Sequence, residues 1–393
     1  MSVVVVVGGC GHVGLPLAVT LANEGNLVSS LDIDEKKVAL VNSGSFPFVE
    51  NGGEELLAKV LSEKKFNATS DIKCLVDSDY VIVVVGTPVD EHLNPDPEAI
   101  INVLDDIAPY LNSSQVLILR STVFPGVTAR VENWCESHVP GLKVSFCPER
   151  IAEGHAINEL YSLPQIIGTR DEATYDKVAN LFRGLTPNLI FTSPEEAELA
   201  KLFTNVWRYI KFATVNQFFM LANDFGVDFE KVRSALTFNY PRAAEMPSAG
   251  FSAGPCLLKD TMQLGAFSNN SFALGHSAML INEGLPLYLV EKIKVKHNLA
   301  DATVGILGMT FKQDVDDNRS SLSYKLRKIL RFQAKKVLCT DPYIKDPSFS
   351  DLDYVIETAD IIIIGTPHKE YKNLSFSKPV VDIWNTHGNG VLI

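Results

Sequence analysis

A run of β-branched residues closing on Gly-Thr-Pro occurs twice in this chain. Residues 78–92 read SDYVIVVVGTPVDEH and residues 359–371 read ADIIIIGTPHKEY. Continuous Val and Ile runs, unlike alternating ones, belong to strands buried on both faces, and such strands make parallel sheets covered by helices. Two copies so far apart predict two α/β units rather than one. Neighbouring segments repeat with them. NLVSSLDID, ending in Asp32, has its counterpart in KKVLCTDPYI, where Asp341 takes the same place. SVVVVVGG and ATVGILGMTFK are strands that each close on a tight turn. The expectation is two doubly wound parallel-sheet units, each with a ligand crevice at the carboxyl ends of its strands.

The texture between the copies differs. From Ser193-Pro194 to about Phe225, Leu199, Leu202, Phe203, Val206, Ile210, Ala213 and Phe218 recur at helical spacing, with Glu195 and Glu196 in the first turn. The spacing predicts one long helix of the kind that bridges domains or subunits. A helical section continues to roughly Lys296, interrupted by the loop SAGFSAGPC that ends in Cys256. The division expected is 1–192, 193–296 and 297–393.

The first tight turn carries Gly9-Cys10-Gly11-His12-Val13-Gly14. A G-x-G-x-x-G is weak evidence by itself. Here it follows a strand directly and opens a helix, which is the context of a dinucleotide fingerprint. Gly9 permits the turn, Gly11 lets the backbone approach a pyrophosphate, and Gly14 lets helix and strand pack closely. His12 and Val13 complete the loop over the helix N-terminus, where phosphates bind. Asp32 would accept hydrogen bonds from a ribose and repel a 2′-phosphate, which favours NAD over NADP. Thr87, in the first Gly-Thr-Pro, joins the expected cofactor contacts. The second copy has lost the glycine pattern, so a different nucleotide-like ligand is expected there.

Cys256 sits where turn chemistry gives way to a helix, and a helix N-terminus favours a thiolate. The alternative is a small buried residue, as most free cysteines are. The six cysteines form no C-x-x-C pair, and a chain of 393 residues with 46% hydrophobic content has no need of disulfides, so a reducing cytosol is expected. A net charge of −12 argues against non-specific binding to nucleic acid or an anionic membrane. No signal peptide or membrane-length apolar segment is read from the sequence.

Taken together, GGCGHVGLPLA, VVVGTPVDE, RSTVFPG, CPERIAEG, AELAKLFTNVW, GFSAGPCLLKD and GILGMTFKQDVDDNRSS resemble the UDP-glucose/GDP-mannose dehydrogenase family across essentially the whole chain. The resemblance implies two Rossmann-like domains joined by a helical dimerisation domain, with NAD on the first and a UDP-sugar on the last, and substrate in the cleft between them. It implies a cytoplasmic homodimer in polysaccharide biosynthesis. The implied reaction is four-electron oxidation of a sugar C6 alcohol to a carboxylate. A second hydride cannot leave an aldehyde directly. A thiolate adds first, the thiohemiacetal becomes a thioester, and water frees the acid.

By this resemblance Cys256 is the nucleophile. Lys201 and Asn205, one turn apart on a helix, stabilise the oxyanion at C6. Glu149 assists thioester hydrolysis through water; its structural alternative is an ion pair with the adjacent Arg150, itself a substrate contact. Asp260 pairs with the lysine and a water, its alternative being a simple first-turn acid. Thr122 orients a water and lies near the nicotinamide. Lys312 and Arg319 match substrate and interdomain positions, and Arg242 matches an arginine offered across a dimer interface. Leu258, Val315 and Leu322 depart from common family residues without touching the chemistry. Trp384 and Asn385 stand where UDP-glucose oxidisers carry a substrate-contacting Arg, which speaks against UDP-glucose. CPERIAEG followed by LPQIIG resembles the branch acting on UDP-N-acetylhexosamines, with UDP-N-acetylmannosamine expected before UDP-N-acetylglucosamine. A catalytically silent nucleotide-sugar binder and a single-step hydroxyacid dehydrogenase are the alternatives of other kinds. An intact set of site residues speaks against the first, and the C-terminal repeat against the second.

Overall fold

The computed structural model describes residues 1–86 and 98–393. The chain divides into two compact units, Met1–Thr204 and Asn205–Ile393.

The first unit holds β1 (Val3–Val7), β2 (Leu27–Leu31), β3 (Phe66–Thr69), β4 (Tyr80–Val83), β5 (Val116–Leu119), β6 (Lys143–Phe146), β7 (Gln165–Gly168) and β8 (Leu189–Thr192). They form one sheet in the order β3-β2-β1-β4-β5-β6-β7-β8. The order reverses at β1, so the crevice between β1 and β4 opens at the carboxyl ends, beside the glycine loop. The uniform Val run of β1 is explained by its two faces. Val4 and Val6 enter one core and Val5 and Val7 the other, and all four are buried. One departure from an all-parallel sheet is β7, which runs antiparallel to β6 while β8 follows it in parallel. The turn after Pro148 and the helix Ala156–Ser162 return the chain to the sheet from the opposite end.

The second unit holds β9 (Thr303–Leu307), β10 (Lys336–Thr340), β11 (Ile361–Ile364) and β12 (Val380–Val381), all parallel, in the order β10-β9-β11-β12. The four isoleucines of β11 split between two cores, Ile361 and Ile363 against Ile362 and Ile364. Leu322 is the first residue of the helix Leu322–Arg331 and is buried with Val315 in this unit. The helices Phe229–Thr237, Leu257–Phe267, Ala273–Lys296 and Leu352–Thr358 also belong to this unit.

The long helix spans Pro194–Asp224. Its start is a capping box. Ser193 Oγ accepts from Glu196 N, and Glu196 Oε2 accepts from Ser193 N at 2.9 Å.

Candidate active site

In the first unit the glycine loop is built for close approach. A Cβ on Gly14 would lie 2.5 Å from Gly8 O, and one on Gly9 2.6 Å from Val6 O, so neither position admits a side chain. A Cβ on Gly11 would meet only Gly8 O, at 3.6 Å, so this glycine faces open space where a ligand backbone can pass. Val13 caps the helix Gly14–Asn23. His12 stacks on Phe48, with ring centroids 4.1 Å apart. Asp32 Oδ2 accepts from Cys10 N at 3.0 Å and so fastens the end of β2 to the loop, while Oδ1 accepts from Asp34 N. These residues fit a dinucleotide: an open helix N-terminus for the pyrophosphate and a carboxylate beside it for a ribose. Thr87 lies outside the described residues.

The same unit contains a buried ion pair. Lys201 Nζ donates to Glu149 Oε1 at 3.1 Å, with side-chain exposures of 4% and 12%. Glu149 Oε2 accepts from Ile151 N at 2.9 Å. Arg150 does not complete this pair; it donates to Pro164 O. Neighbouring residues of an extended segment point to opposite sides, so Glu149 and Arg150 face different surroundings.

Two further buried groups hold this arrangement, and neither was read from the sequence. Arg120, wholly buried, donates from Nη1 to Cys147 O and Gln165 Oε1. Gln165 in turn donates to Pro148 O, so the segment entering Glu149 is tied to β5 and β7. Burial lowers the Arg120 pKa, and the Glu149 charge opposes the shift. Glu198 accepts from Gly126 N, Thr128 N and Thr128 Oγ1, and so caps the helix Val127–His138 that follows Thr122. Thr122 itself is half-buried just beyond β5, next to Ser121, whose hydroxyl donates to Val85 O.

In the second unit Cys256 is the N-cap residue of the helix Leu257–Phe267. It is exposed; the other five cysteines are buried or half-buried. Burial pushes the thiols of Cys10, Cys135 and Cys147 up to about 12, and those of Cys74 and Cys339 to about 11. At pH 8 their thiolate fractions are therefore roughly 10⁻³ to 10⁻⁴. Brief treatment with iodoacetamide at pH 8 is expected to place one carbamidomethyl group per chain, on Cys256, when mapped by peptide mass spectrometry. Modification spread over several cysteines would contradict this.

Asp260, fully buried one turn into the Cys256 helix, accepts from Asn205 Nδ2 at 2.5 Å. Lys259 Nζ approaches its other oxygen at 3.6 Å. The backbone before Cys256 is clamped. Asn216 Oδ1 accepts from Gly250 N, and its Nδ2 donates to Gly250 O, both at 3.0 Å. Asn282 orients Asn216 by accepting from the same Nδ2 at 2.9 Å, and itself donates to Tyr209 O. Trp384 closes the other side: a Cβ on Gly250 would lie 2.2 Å from its ring, and its Nε1 donates to Ile364 O. The signal for Asn216 was present in the sequence. It lies about three helical turns beyond Asn205, so two polar residues share one face of a helix with an apolar stripe.

A cavity of about 370 Å³ opens beside this loop. Arg208 and Lys312 supply its cations, and Phe212, Phe251, Phe311 and Trp384 its aromatic walls. Arg208 was not singled out from the sequence. Arg319 is held by Asp317, with Nε 2.8 Å from Oδ2. Arg242 lies in the exposed turn Pro241–Ala243, over the ring of Tyr240. The geometry therefore joins Glu149 to Lys201, and Asn205 to Asp260 next to Cys256, while Lys312 lines the cavity.

Residues 1–186 match the NAD binding domain of the UDP-glucose/GDP-mannose dehydrogenase family, 195–284 its central domain and 305–388 its UDP binding domain. The UDP-N-acetyl-D-mannosamine dehydrogenase of Pyrococcus horikoshii is 31% identical over 384 residues, covering 94% of this chain and 90% of that protein. A solved UDP-D-ManNAc dehydrogenase structure from the same organism superposes with a TM-score of 0.89 at 29% identity, covering 97% of this chain and 94% of that one. A UDP-glucose dehydrogenase from Pyrobaculum islandicum superposes with a TM-score of 0.91 at 25% identity, again over 97% and 94%. The chain belongs to the UDP-glucose/GDP-mannose dehydrogenase family and is an NAD-dependent nucleotide-sugar dehydrogenase.

Proposed function

We propose that this enzyme oxidises the C6 hydroxymethyl of UDP-N-acetyl-D-mannosamine to the carboxylate through a thioester on Cys256. The observation that carries the proposal is a single exposed cysteine at a helix N-cap, one turn from the buried Asp260–Asn205 pair. Gly9, Gly11, His12, Val13, Gly14 and Asp32 hold NAD, joined by Thr87 and Thr122. Bound NAD supplies the hydride acceptor for each of the two oxidations.

The chain's own residues do the rest. At the aldehyde stage the Cys256 thiolate adds to C6, forming a C–S bond and moving the carbonyl electron pair onto oxygen. Lys201 and Asn205 donate to that oxygen and stabilise its charge. At the thioester stage Glu149 takes a proton from water as the water adds to C6; the C–S bond then breaks and Cys256 leaves as thiolate. Asp260 holds Asn205 in the donating orientation and pairs with the lysine through water. Thr122 orients water. Arg150, Arg242, Lys312 and Arg319 contact the substrate, the cations offsetting the diphosphate charge.

The sugar assignment rests on the likeness to the Pyrococcus horikoshii UDP-N-acetyl-D-mannosamine dehydrogenase and on the aromatic walls of the cavity, which suit the methyl of an acetamido group better than a hydroxyl. UDP-glucose and UDP-N-acetylglucosamine are the other candidates. Initial rates with each sugar at limiting concentration decide between them. The expected kcat/KM for UDP-N-acetylmannosamine exceeds that for UDP-glucose by at least about tenfold, and the reverse order would reassign the substrate. The proposed domain division is 1–192, 193–296 and 297–393, with the central part dimerising. Trp207 and Leu221 on the long helix and Phe225 just beyond its end are 58–84% exposed, large apolar side chains that a second copy would cover. Light scattering at twice 43.2 kDa is expected, and a monomer would remove this assignment. Among the described residues no helix is long and apolar enough to cross a membrane. With six free cysteines this supports action in the cytoplasm, where the product would feed polysaccharide biosynthesis.

A further inference from the structure

In the second unit the segment Met309–Asp317 has no regular secondary structure, yet it carries three residues of the cavity: Phe311, Lys312 and Gln313. Such a segment must be fixed by side chains if Lys312 is to hold a phosphate group in place. Its anchor is a buried polar cluster centred on His368, which has no exposed surface.

His368 Nδ1 accepts from Asp314 N at 3.0 Å. That contact leaves the ring proton on Nε2. Nε2 lies 3.1 Å from Thr310 Oγ1 and 3.2 Å from Asp341 Oδ2. Thr310 Oγ1 donates to Lys312 O at 2.9 Å. The backbone on both sides of Lys312 is thus tied to one imidazole, at Asp314 directly and at Lys312 through one hydroxyl.

Asp341 completes the anchor. Its Oδ2 accepts from Met309 N and Thr310 N, and its Oδ1 from Tyr343 N and Ile344 N. Four backbone donors and His368 occupy the lone pairs that a ribose would need. Asp341 therefore performs the loop-fastening part of what Asp32 does in the first unit and has given up the ligand-binding part. Phe311 carries the order further: a Cβ on Gly254, two residues before Cys256, would lie 2.6 Å from the Phe311 ring.

We propose that His368 is a positioning residue that sets the affinity for the diphosphate of the nucleotide sugar by fixing the Lys312 segment. The inference rests on the reading of Lys312 as a phosphate contact. Isothermal titration of the full-length protein with UDP, and separately with NAD, tests it. Wild-type protein that bound NAD but not UDP would overturn the nucleotide-sugar reading itself. With wild-type binding established, His368→Gln is expected to weaken UDP about tenfold, the loss of about one buried hydrogen bond, and to leave NAD affinity within twofold. Thr310→Val removes the linking hydroxyl at nearly constant shape and is expected to weaken UDP by roughly three- to tenfold, with Thr310→Ser restoring it. In turnover the effect falls on the sugar KM, with kcat within about twofold. UDP affinity unchanged in Thr310→Val and His368→Gln, with NAD binding intact, would overturn the proposal. Equal losses in Thr310→Val and Thr310→Ser would also overturn it, because packing rather than the hydroxyl would then matter. Should His368→Gln lose NAD binding through misfolding, the Thr310 pair decides.

Discussion

Cys256→Ala is expected to release no sugar carboxylate. Carboxylate formation should fall by at least about 10³-fold, the scale on which loss of a covalent nucleophile is felt. The residue is exposed at the end of a helix, so the substitution opens no core cavity, and the melting temperature should stay within about 2 °C of the parent. The variant should retain UDP-sugar and NAD binding. Carboxylate release near the wild-type rate would return Cys256 to a packing role and leave the thioester route without its nucleophile.

Lys201→Met is expected to have the next largest effect, because it acts on chemistry and stability together. Lys201 is 4% exposed and pairs with Glu149 at 3.1 Å. Removing the cation leaves Glu149 with a desolvated charge and one carboxylate oxygen short of its partner. The expected cost is about 3 kcal/mol, a fall in melting temperature visible by calorimetry. The loss of an oxyanion donor should lower kcat by about 10²–10³-fold. The double variant Lys201→Met with Glu149→Gln separates the two effects. It removes both charges, so most of the stability should return while the activity should not. Recovery of activity in the double variant would show that the pair serves stability alone. An undisturbed melting temperature in Lys201→Met would show that the ion pair does not stabilise the fold.

Much of this arrangement was legible in the sequence because it is local. The Val run of β1, the glycines after it and Asp32 lie within one short stretch, and each local preference agrees with the fold. The long helix announced itself through Pro194, the two acids after it and a sustained apolar period, and it ends at Asp224, one residue short of the Phe225 expected. Cys256 at a helix N-cap followed from a Gly, Ser and Pro loop giving way to apolar spacing.

What was not legible depends on pairing at a distance. The reversal of β7 against β6 is a property of sheet assembly, and QIIG looks the same in either direction. In sequence the cation nearest Glu149 is its neighbour Arg150. The partner is Lys201, 52 positions away. Glu198 likewise caps a helix 70 positions upstream, and Asn216 clamps Gly250 34 positions on. Each is a polar residue on a mostly apolar helix, a pattern that flags a buried hydrogen bond without naming its partner.

The four-electron route through Cys256 is tested most directly by counting NADH against UDP-N-acetylmannosamine consumed to completion by the wild-type enzyme, with excess NAD. Two NADH per sugar and one equivalent of uronic acid are expected. One NADH per sugar, with aldehyde as the product, would contradict the route.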